Sequence, residues 1–230
     1  MMRLMSYQLH KLIRRPQILP AYCLYIVSIV MLYSYKGVQV TSSYTLSHML
    51  LFPIALWIVA IVAKQDSSNE RYILLIHMQS KRYKYVLGTL RTSFVIALPL
   101  VLFAIVYPIV IRVFSQMPTV AETVTAVITH MLSALFGVVI GSYVLLSYLQ
   151  QRKYIWLLLI LFGLLTFLKP IFIEQFSFMK LFLWILPPLT SLNQLMIQGQ
   201  TFHAVPWLVC ILYLIISSAL LLFSFNRSEI

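Results

Sequence analysis

The sequence predicts an all-α integral membrane protein, a bundle of six transmembrane helices that forms a single domain over residues 1–230. Two observations predict this class. Hydrophobic residues make up 61% of the chain and charged residues only 10%, whereas a soluble domain carries roughly 25% charged residues. The apolar residues also fall into runs of about 20 residues, the length that a helix needs to cross the hydrocarbon of a bilayer.

The six predicted spans follow from these runs. Most of the runs contain no charged residue, and one carries only Lys169, which lies close enough to its end to reach the membrane interface. The last run is AVPWLVCILYLIISSALLLFSF. The predicted spans cover residues 18–36, 45–63, 92–111, 124–149, 154–173 and 204–225.

The first 15 residues, MMRLMSYQLHKLIRR, predict a helix that lies in the membrane interface. Its apolar side chains share one helical face, and its basic residues would face anionic headgroups. Pro16 would end this helix and turn the chain into the bilayer. The alternative is a basic flank that only sets the topology. The apolar face comprises Met2, Met5, Leu9, Leu12 and Ile13, and the basic residues include Lys11, Arg14 and Arg15.

The segment between the second and third spans, residues 64–85, reads KQDSSNERYILLIHMQSKRYKY. Ser67 and Glu70 fit a capping box, in which each side chain accepts a hydrogen bond from a free backbone N–H. The apolar run that follows is too short to cross a bilayer and is bounded by charges. It predicts a short helix parallel to the membrane, with Tyr72, Leu75, Ile76 and Gln79 on one face. An ordinary solvated loop is the alternative.

Residues 175–200, before the last span, predict a hairpin in the outer leaflet. Pro187 and Pro188 break a helix there, because neither residue can donate a backbone hydrogen bond. A broken seventh span is the alternative, since interrupted helices can cross a membrane inside a bundle.

Loop charges predict the orientation. The formal net charge is +12, from 17 Lys and Arg against 5 Asp and Glu. With six spans and both termini in the cytoplasm, most basic residues lie inside, as the positive-inside rule requires. A nucleic-acid partner is not expected, because no basic stripe with stacking aromatic residues stands clear of the apolar runs. The basic residues left outside are Lys36, Arg112, Lys169 and Lys180.

Two features inside the predicted spans concern packing and polarity. Ser133, Gly137 and Gly141 recur every four residues, which permits the close approach of another helix, either within the bundle or in a partner subunit. His48 and His130 both map to the outer parts of their spans and could meet. They would bind a metal, sense protons or simply hydrogen-bond within the bundle. No four-ligand cluster forms, so no metal site is predicted.

The chain contains no GxxxxGK[ST] phosphate-binding loop, no HExxH and no GxSG motif. We therefore expect no enzymatic activity in this chain, and any ATP hydrolysis would occur in a separate polypeptide.

Three segments resemble the permease subunits of bacterial type-two ABC exporters: LHKLIRRPQILPAYCLYIV, DSSNERYILLIHMQSKRYKYVLG and ILPPLTSLNQLMIQ. The resemblance implies that the insert at 64–85 is a coupling helix, which sits in a groove of an ATPase subunit. It also implies two ATPase subunits, which bind ATP and magnesium, and a second permease, identical or related. The ATPase-coupling residues it implies are Ser67, Glu70, Arg71, Tyr72, Leu75 and Ile76.

The predicted function is therefore that of a transmembrane subunit of an ATP-driven exporter in the bacterial cytoplasmic membrane. The cargo would be an amphipathic or hydrophobic peptide, such as a bacteriocin or toxin, because the bundle is small and its outer loops are short. Two alternatives remain: an exporter of a lipid-linked glycan, lipid or drug, and a stand-alone immunity or signalling protein without transport.

Overall fold

The computed structural model describes residues 2–14, 16–78, 82–145, 154–176, 178, 182–197 and 204–227. In these ranges the chain forms nine α-helices and two short 3-10 turns, at Ser142–Leu145 and Phe182–Ile185. The helices are α1 (Met2–Arg14), α2 (Leu19–Leu32), α3 (Val40–Lys64), α4 (Ser68–His77), α5 (Arg82–Val110), α6 (Val120–Gly141), α7 (Ile155–Gln175), α8 (Leu189–Ile197) and α9 (Ala204–Arg227).

Five of the described helices are long and apolar enough to cross a membrane: α3, α5, α6, α7 and α9. A sixth span results if α1 and α2, which meet at a bend of 81°, count as one. The prediction of an all-α, multi-pass membrane protein is confirmed at this level.

Helix α3 forms the centre of the bundle. In its most apolar stretch 72% of the residues are buried within the chain, against 22% for α7 and for α9. Helix α6 packs directly on α3 through its small residues. A Cβ atom at Gly137 would lie 2.6 Å from the Phe52 carbonyl oxygen, and Ser133 Oγ donates to the His48 carbonyl at 2.6 Å. The small size of the side chains on this face is what lets the two backbones approach.

Helix α2 is shorter than the predicted span 18–36, since it ends at Leu32 after 14 residues, about 21 Å. The chain then turns at Gly37, whose φ of 82° is accessible at little cost only to glycine. The Gly37 N–H donates to the Val113 carbonyl at 2.7 Å, so the α2–α3 loop is joined to the loop after α5.

Helix α1 packs against α5, and its buried face differs from the predicted one. Leu4, Gln8 and Leu12 are buried, because an i, i+4 spacing places them on one side, whereas Ile13 is 77% exposed. Gly88 of α5 provides the room, since a Cβ there would meet the Leu4 side chain.

Part of the segment before α9 packs inside the bundle, although Trp184 and Ile185 are exposed. Helix α8 has nine residues, about 14 Å, and packs with Leu192 fully buried against α3 and α6. Pro187 and Pro188 have no N–H to donate to the carbonyl groups that precede them, so side chains donate to two of these carbonyls instead. Lys169 Nζ donates to the Leu186 carbonyl at 3.1 Å, and Tyr213 donates to that of Ile185 at 2.7 Å.

Several predicted boundaries fall outside the described residues. They include the end of the predicted span 124–149, residues 79–81 of the charged insert and residues 198–200 of the hairpin. The basic residue Arg15 also lies outside the described ranges.

Candidate functional site

Helix α4 begins with the capping box that the sequence predicts. Ser67 is the N-cap, with φ −62° and ψ 162°, and its hydroxyl accepts from the Glu70 N–H at 3.3 Å. Glu70 Oε2 accepts from the Ser67 N–H at 2.8 Å. These two bonds satisfy backbone donors that the first turn of a helix leaves free, so α4 starts at a defined residue directly after the turn at Gln65–Asp66.

The inner face of α4 attaches the helix to α3 and α5. Arg71 is only 4% exposed, and its Nη2 donates to the Ala63 carbonyl in the last turn of α3 at 3.2 Å. A cation at this position is favourable, because the last carbonyls of a helix carry partial negative charge. Leu75, also 4% exposed, packs in an apolar cluster with Ala63 and Tyr85.

Asp66 lies at the centre of a buried polar cluster between α1, α3 and α5. Its side chain is inaccessible to solvent and accepts hydrogen bonds from three residues distant in the sequence. Tyr85 donates to Oδ2 at 2.8 Å, Lys11 to Oδ1 at 3.3 Å and Gln8 to Oδ2 at 3.5 Å. A buried carboxylate needs such partners to remain charged, so Asp66 holds the three helices at a common point.

Lys11 of α1 forms ion pairs with both acidic residues at this junction. Its Nζ lies 2.9 Å from Glu70 Oε2 and 3.3 Å from Asp66 Oδ1. Burial opposes the charge of Lys11, but the hydrogen bond to Glu70 and the charge of Asp66 outweigh it and raise the pKa of Lys11. The hydrogen bonds from Lys11 and from the Ser67 backbone lower the pKa of Glu70 to about 2. Both groups are therefore charged at neutral pH.

The outer face of α4 is apolar and exposed. Tyr72 is 59% exposed, Ile73 53% and Ile76 56%. These three side chains form one patch, because Ile76 neighbours both Tyr72, four residues before it, and Ile73, three residues before it, on the helix surface. We call Tyr72, Ile73 and Ile76 the α4 patch. Contiguous exposed apolar side chains of this kind mark surfaces that contact another molecule.

The six ATPase-coupling residues implied by the resemblance occupy different positions in the structure. Ser67 and Glu70 cap the helix, and Arg71 and Leu75 hold it against the bundle. Only Tyr72 and Ile76 are exposed on the outer face. Leu75 therefore does not share the exposed face on which the sequence pattern grouped it. Of the remaining predicted residues, Arg14 is exposed at the end of α1, and Ser133, Gly137 and Gly141 face α3 within the same chain.

Sequence reasoning missed four residues of this site: Gln8, Asp66, Tyr85 and Ile73. One signal was present in the sequence, since Asp66 is the only aspartate in the chain and stands beside the capping box. Gln8 and Tyr85 carry no such signal, because their role depends on contacts across 58 and 19 residues.

Together these contacts tie α4 to three neighbouring helices. Arg71 joins it to α3, the pair Asp66 and Tyr85 joins its base to α5, and the ion pair of Lys11 with Glu70 joins it to α1. These contacts reach the ends of α3, α5 and α1, and each involves a charged or buried side chain.

Comparison with known proteins finds no matching family model, no similar curated protein and no similar solved structure. Any function assigned to this chain depends on its own residues.

Proposed function

We propose that this protein is the transmembrane subunit of an ATP-driven exporter in the bacterial cytoplasmic membrane. Two copies of a separate ATPase subunit would bind ATP and magnesium, and one of them would bind the α4 patch. A second permease, identical or related, would complete the transport path. The cargo would be an amphipathic or hydrophobic peptide, as in the export of a bacteriocin or toxin or in immunity to it.

The observation that carries this proposal is the outward-facing apolar patch on a short helix that is fastened on its other side. Tyr72 and Ile76 are both more than half exposed, whereas Arg71 and Leu75 on the inner face are 4% exposed. An ordinary solvated loop does not require one face of a helix to be buried and the opposite apolar face to be exposed. Aromatic and aliphatic side chains on a rigid element are what a partner protein buries at the centre of an interface.

Transmission into the bundle would use the inner contacts of α4. Movement of the helix by a partner would displace Arg71 relative to the last turn of α3, and Glu70 relative to Lys11. Because α3 is the central helix of the bundle, such a displacement would reach α6 through the closely packed Gly137. Packed interiors respond to small shifts by moving whole helices.

The topology that fits this proposal has six spans, with α2 providing the first and α1 lying in the membrane interface before it. Both termini and α4 would lie in the cytoplasm, in agreement with the positive-inside rule. Only 22% of the residues in the most apolar stretch of α7 and of α9 are buried within the chain, so the remainder would be covered by lipid or by the second permease.

Affinity purification tests the proposal. The tagged chain would be isolated in mild detergent with an ATP-trapping inhibitor, and co-purifying proteins would be identified by mass spectrometry. We expect a soluble ATPase in stoichiometric amount. A chain that is recovered alone, repeatedly and under trapping conditions, would contradict the proposal.

A matched pair of substitutions tests the α4 patch itself. Tyr72→Ala removes an aromatic ring of the patch, whereas Tyr83→Ala removes one that is 41% exposed at the start of α5. We expect Tyr72→Ala to reduce ATPase recovery and stimulated ATP hydrolysis by about 30-fold, since a central aromatic residue contributes about 2 kcal/mol to an interface. Tyr83→Ala should leave both unchanged. Equal effects of the two substitutions would remove the patch from the partner interface.

A further inference from the structure

Two exposed basic residues, Lys36 and Arg112, lie at the end of the bundle opposite to α4. Arg112 follows α5, which begins near α4 and ends at Val110, and Lys36 follows α2. Both belong to the four basic residues that the predicted orientation leaves outside, where basic residues are less frequent than in cytoplasmic loops. Neither residue contributes to the contacts that hold α4, so their presence needs a separate explanation.

The loops that carry these residues are joined by a backbone hydrogen bond. The Gly37 N–H donates to the Val113 carbonyl at 2.7 Å. Lys36 directly precedes Gly37, and Arg112 directly precedes Val113. Chain segments paired in this way lie about 4.8 Å apart. Two long cationic side chains that start one residue from this bond can therefore reach one phosphate group.

Buried side chains fix the backbone beside Arg112. Val113 is only 3% exposed. Phe114 forms a parallel bridge with Val38, and its ring packs on those of Tyr33 and Tyr44, with centroids 6.0 and 5.3 Å away. The position of this loop is therefore set by the core of the bundle, although the two basic side chains are exposed.

Arg112 occupies a helix-ending position that usually belongs to glycine. Its φ is 52°, in the left-handed region, and no other non-glycine residue in the described ranges has a positive φ. The Val113 N–H donates to the Pro108 carbonyl and the Arg112 N–H to the Ile109 carbonyl, both at 3.2 Å, which is the Schellman motif at the end of α5. An arginine strains the backbone at this position, whereas glycine does not. A function of the arginine side chain accounts for that strain.

No carboxylate of the described residues neutralises this basic pair. The side chains of Lys36 and Arg112 form no ion pair and no hydrogen bond within the described ranges. Glu122, the acidic residue closest to Arg112 in the sequence, caps α6 instead. It accepts from the Thr119 N–H at 2.7 Å and from the Thr119 hydroxyl at 2.8 Å. An external anion is therefore the partner that fits the two charges, and arginine is suited to bind phosphate through two parallel hydrogen bonds.

Exposed apolar side chains flank the basic pair. Tyr35, directly before Lys36, is 79% exposed, and Val110 at the end of α5 is 70% exposed. Because α5 is long and apolar enough to cross a membrane, its end lies near the level of the lipid headgroups. A phospholipid offers both a phosphate for the cations and an acyl chain for the apolar side chains, whereas a free phosphate ion offers only the first.

We propose that Lys36 and Arg112 together bind the phosphate group of an anionic phospholipid in the membrane leaflet at this end of the bundle, with Tyr35 and Val110 against the apolar part of the lipid. This proposal is independent of the α4 patch and of any ATPase partner.

Quenching of a local fluorophore tests the proposal. In a Cys23→Ala background, Ser115→Cys places a bimane dye beside the bridge, on an exposed residue. The full chain in nanodiscs of phosphatidylcholine would receive nitroxide-labelled phosphatidylglycerol or, separately, nitroxide-labelled phosphatidylcholine. We expect phosphatidylglycerol to quench more strongly at equal mole fraction.

Substitutions of the basic pair should reduce this preference. Lys36→Gln and Arg112→Gly should each lower it by about 5-fold, because a basic residue near a membrane surface contributes about 1 kcal/mol to the attraction of an anionic lipid. Arg14→Gln is the matched control, since it removes an exposed arginine at the end of α1 and should leave the quenching unchanged. Arg112→Gly should also unfold at the same temperature as the wild type or a higher one, because glycine adopts this φ without strain. A lost preference in this variant would then not reflect misfolding.

Three outcomes would overturn the proposal. In the first, the Lys36→Gln/Arg112→Gly double variant keeps the preference for phosphatidylglycerol. In the second, Arg14→Gln loses the preference to the same extent, which indicates general charge attraction. In the third, inorganic phosphate abolishes the preference while chloride at equal ionic strength does not, because the site would then take free phosphate.

Discussion

The packing of α6 against α3 leaves no room for a methyl group at Gly137. A Cβ at this position would lie 2.6 Å from the Phe52 carbonyl oxygen and 2.6 Å from Ala55 Cβ. Non-bonded heavy atoms prefer about 3.5–4.0 Å, so Gly137→Ala would force the two helices apart by about 1 Å. Neither neighbour can rotate away, because one atom belongs to the backbone and the other is attached directly to it.

The cost follows from these contacts. Overpacking a core by one methyl group costs about 1–3 kcal/mol, and two immovable neighbours place Gly137→Ala in the upper half of that range. The higher helix propensity of alanine relative to glycine stabilises the folded state by about 1 kcal/mol. The net destabilisation is therefore about 1–2 kcal/mol. For a chain of this size it corresponds to a decrease of about 2–8 °C in the unfolding temperature.

Thermal unfolding in detergent measures this effect. In a Cys23→Ala background, a thiol-reactive dye would label the buried Cys210 only when the bundle opens. Gly163→Ala is the matched control, since its Cβ would lie 3.8 Å from the nearest atom, Pro53 Cβ, an ordinary contact. The control should unfold about 1–4 °C higher, because alanine is favoured over glycine in a helix by about 0.5–1 kcal/mol. If Gly137→Ala is stabilised as Gly163→Ala is, the close approach of α3 and α6 is refuted.

Three further predictions concern the base of α4. Asp66→Ala should lower the free energy of unfolding by about 3 kcal/mol, because its buried partners lose their acceptor. Glu70→Ala should lower it by less than about 1 kcal/mol, because the Glu70 side chain is 41% exposed. Denaturant titrations compare the two variants, and equal losses would contradict the central position of Asp66. Because the pKa of Glu70 in the folded protein is about 2, below its ordinary 4.5, its contribution is present above about pH 4.5 and is lost as the pH falls through 2. Amide exchange in α4 should rise over that range in the wild type, and a similar rise in Glu70→Gln would assign the effect to another group. Ser67→Ala should loosen the first turn of α4 by about 1 kcal/mol through loss of the cap, seen as faster exchange of the Glu70 amide, while unchanged exchange would show that the cap is not needed.

Structural features that depend on residues close together in the sequence were predictable from the sequence alone. The long apolar runs identify five of the helices that can cross a membrane, because the hydrocarbon thickness sets the length of a span whatever it packs against. The start of α4 was predictable for the same kind of reason, since Ser67 and Glu70 satisfy each other's backbone donors within a single turn.

The tertiary structure decided which side of each helix faces inward and which distant residues meet. The burial of Leu75 and the exposure of Tyr72 and Ile76 depend on where α3 and α5 lie, and neither periodicity nor capping contains that information. Asp66 becomes the centre of the α4 junction only because Gln8, Lys11 and Tyr85 reach it from other helices. The pairing of His48 with His130 likewise follows from the glycines that bring α6 onto α3. Helix capping and span length depend on residues that are neighbours in the sequence. A contact between two helices depends on how both helices pack, which neighbouring residues alone do not determine.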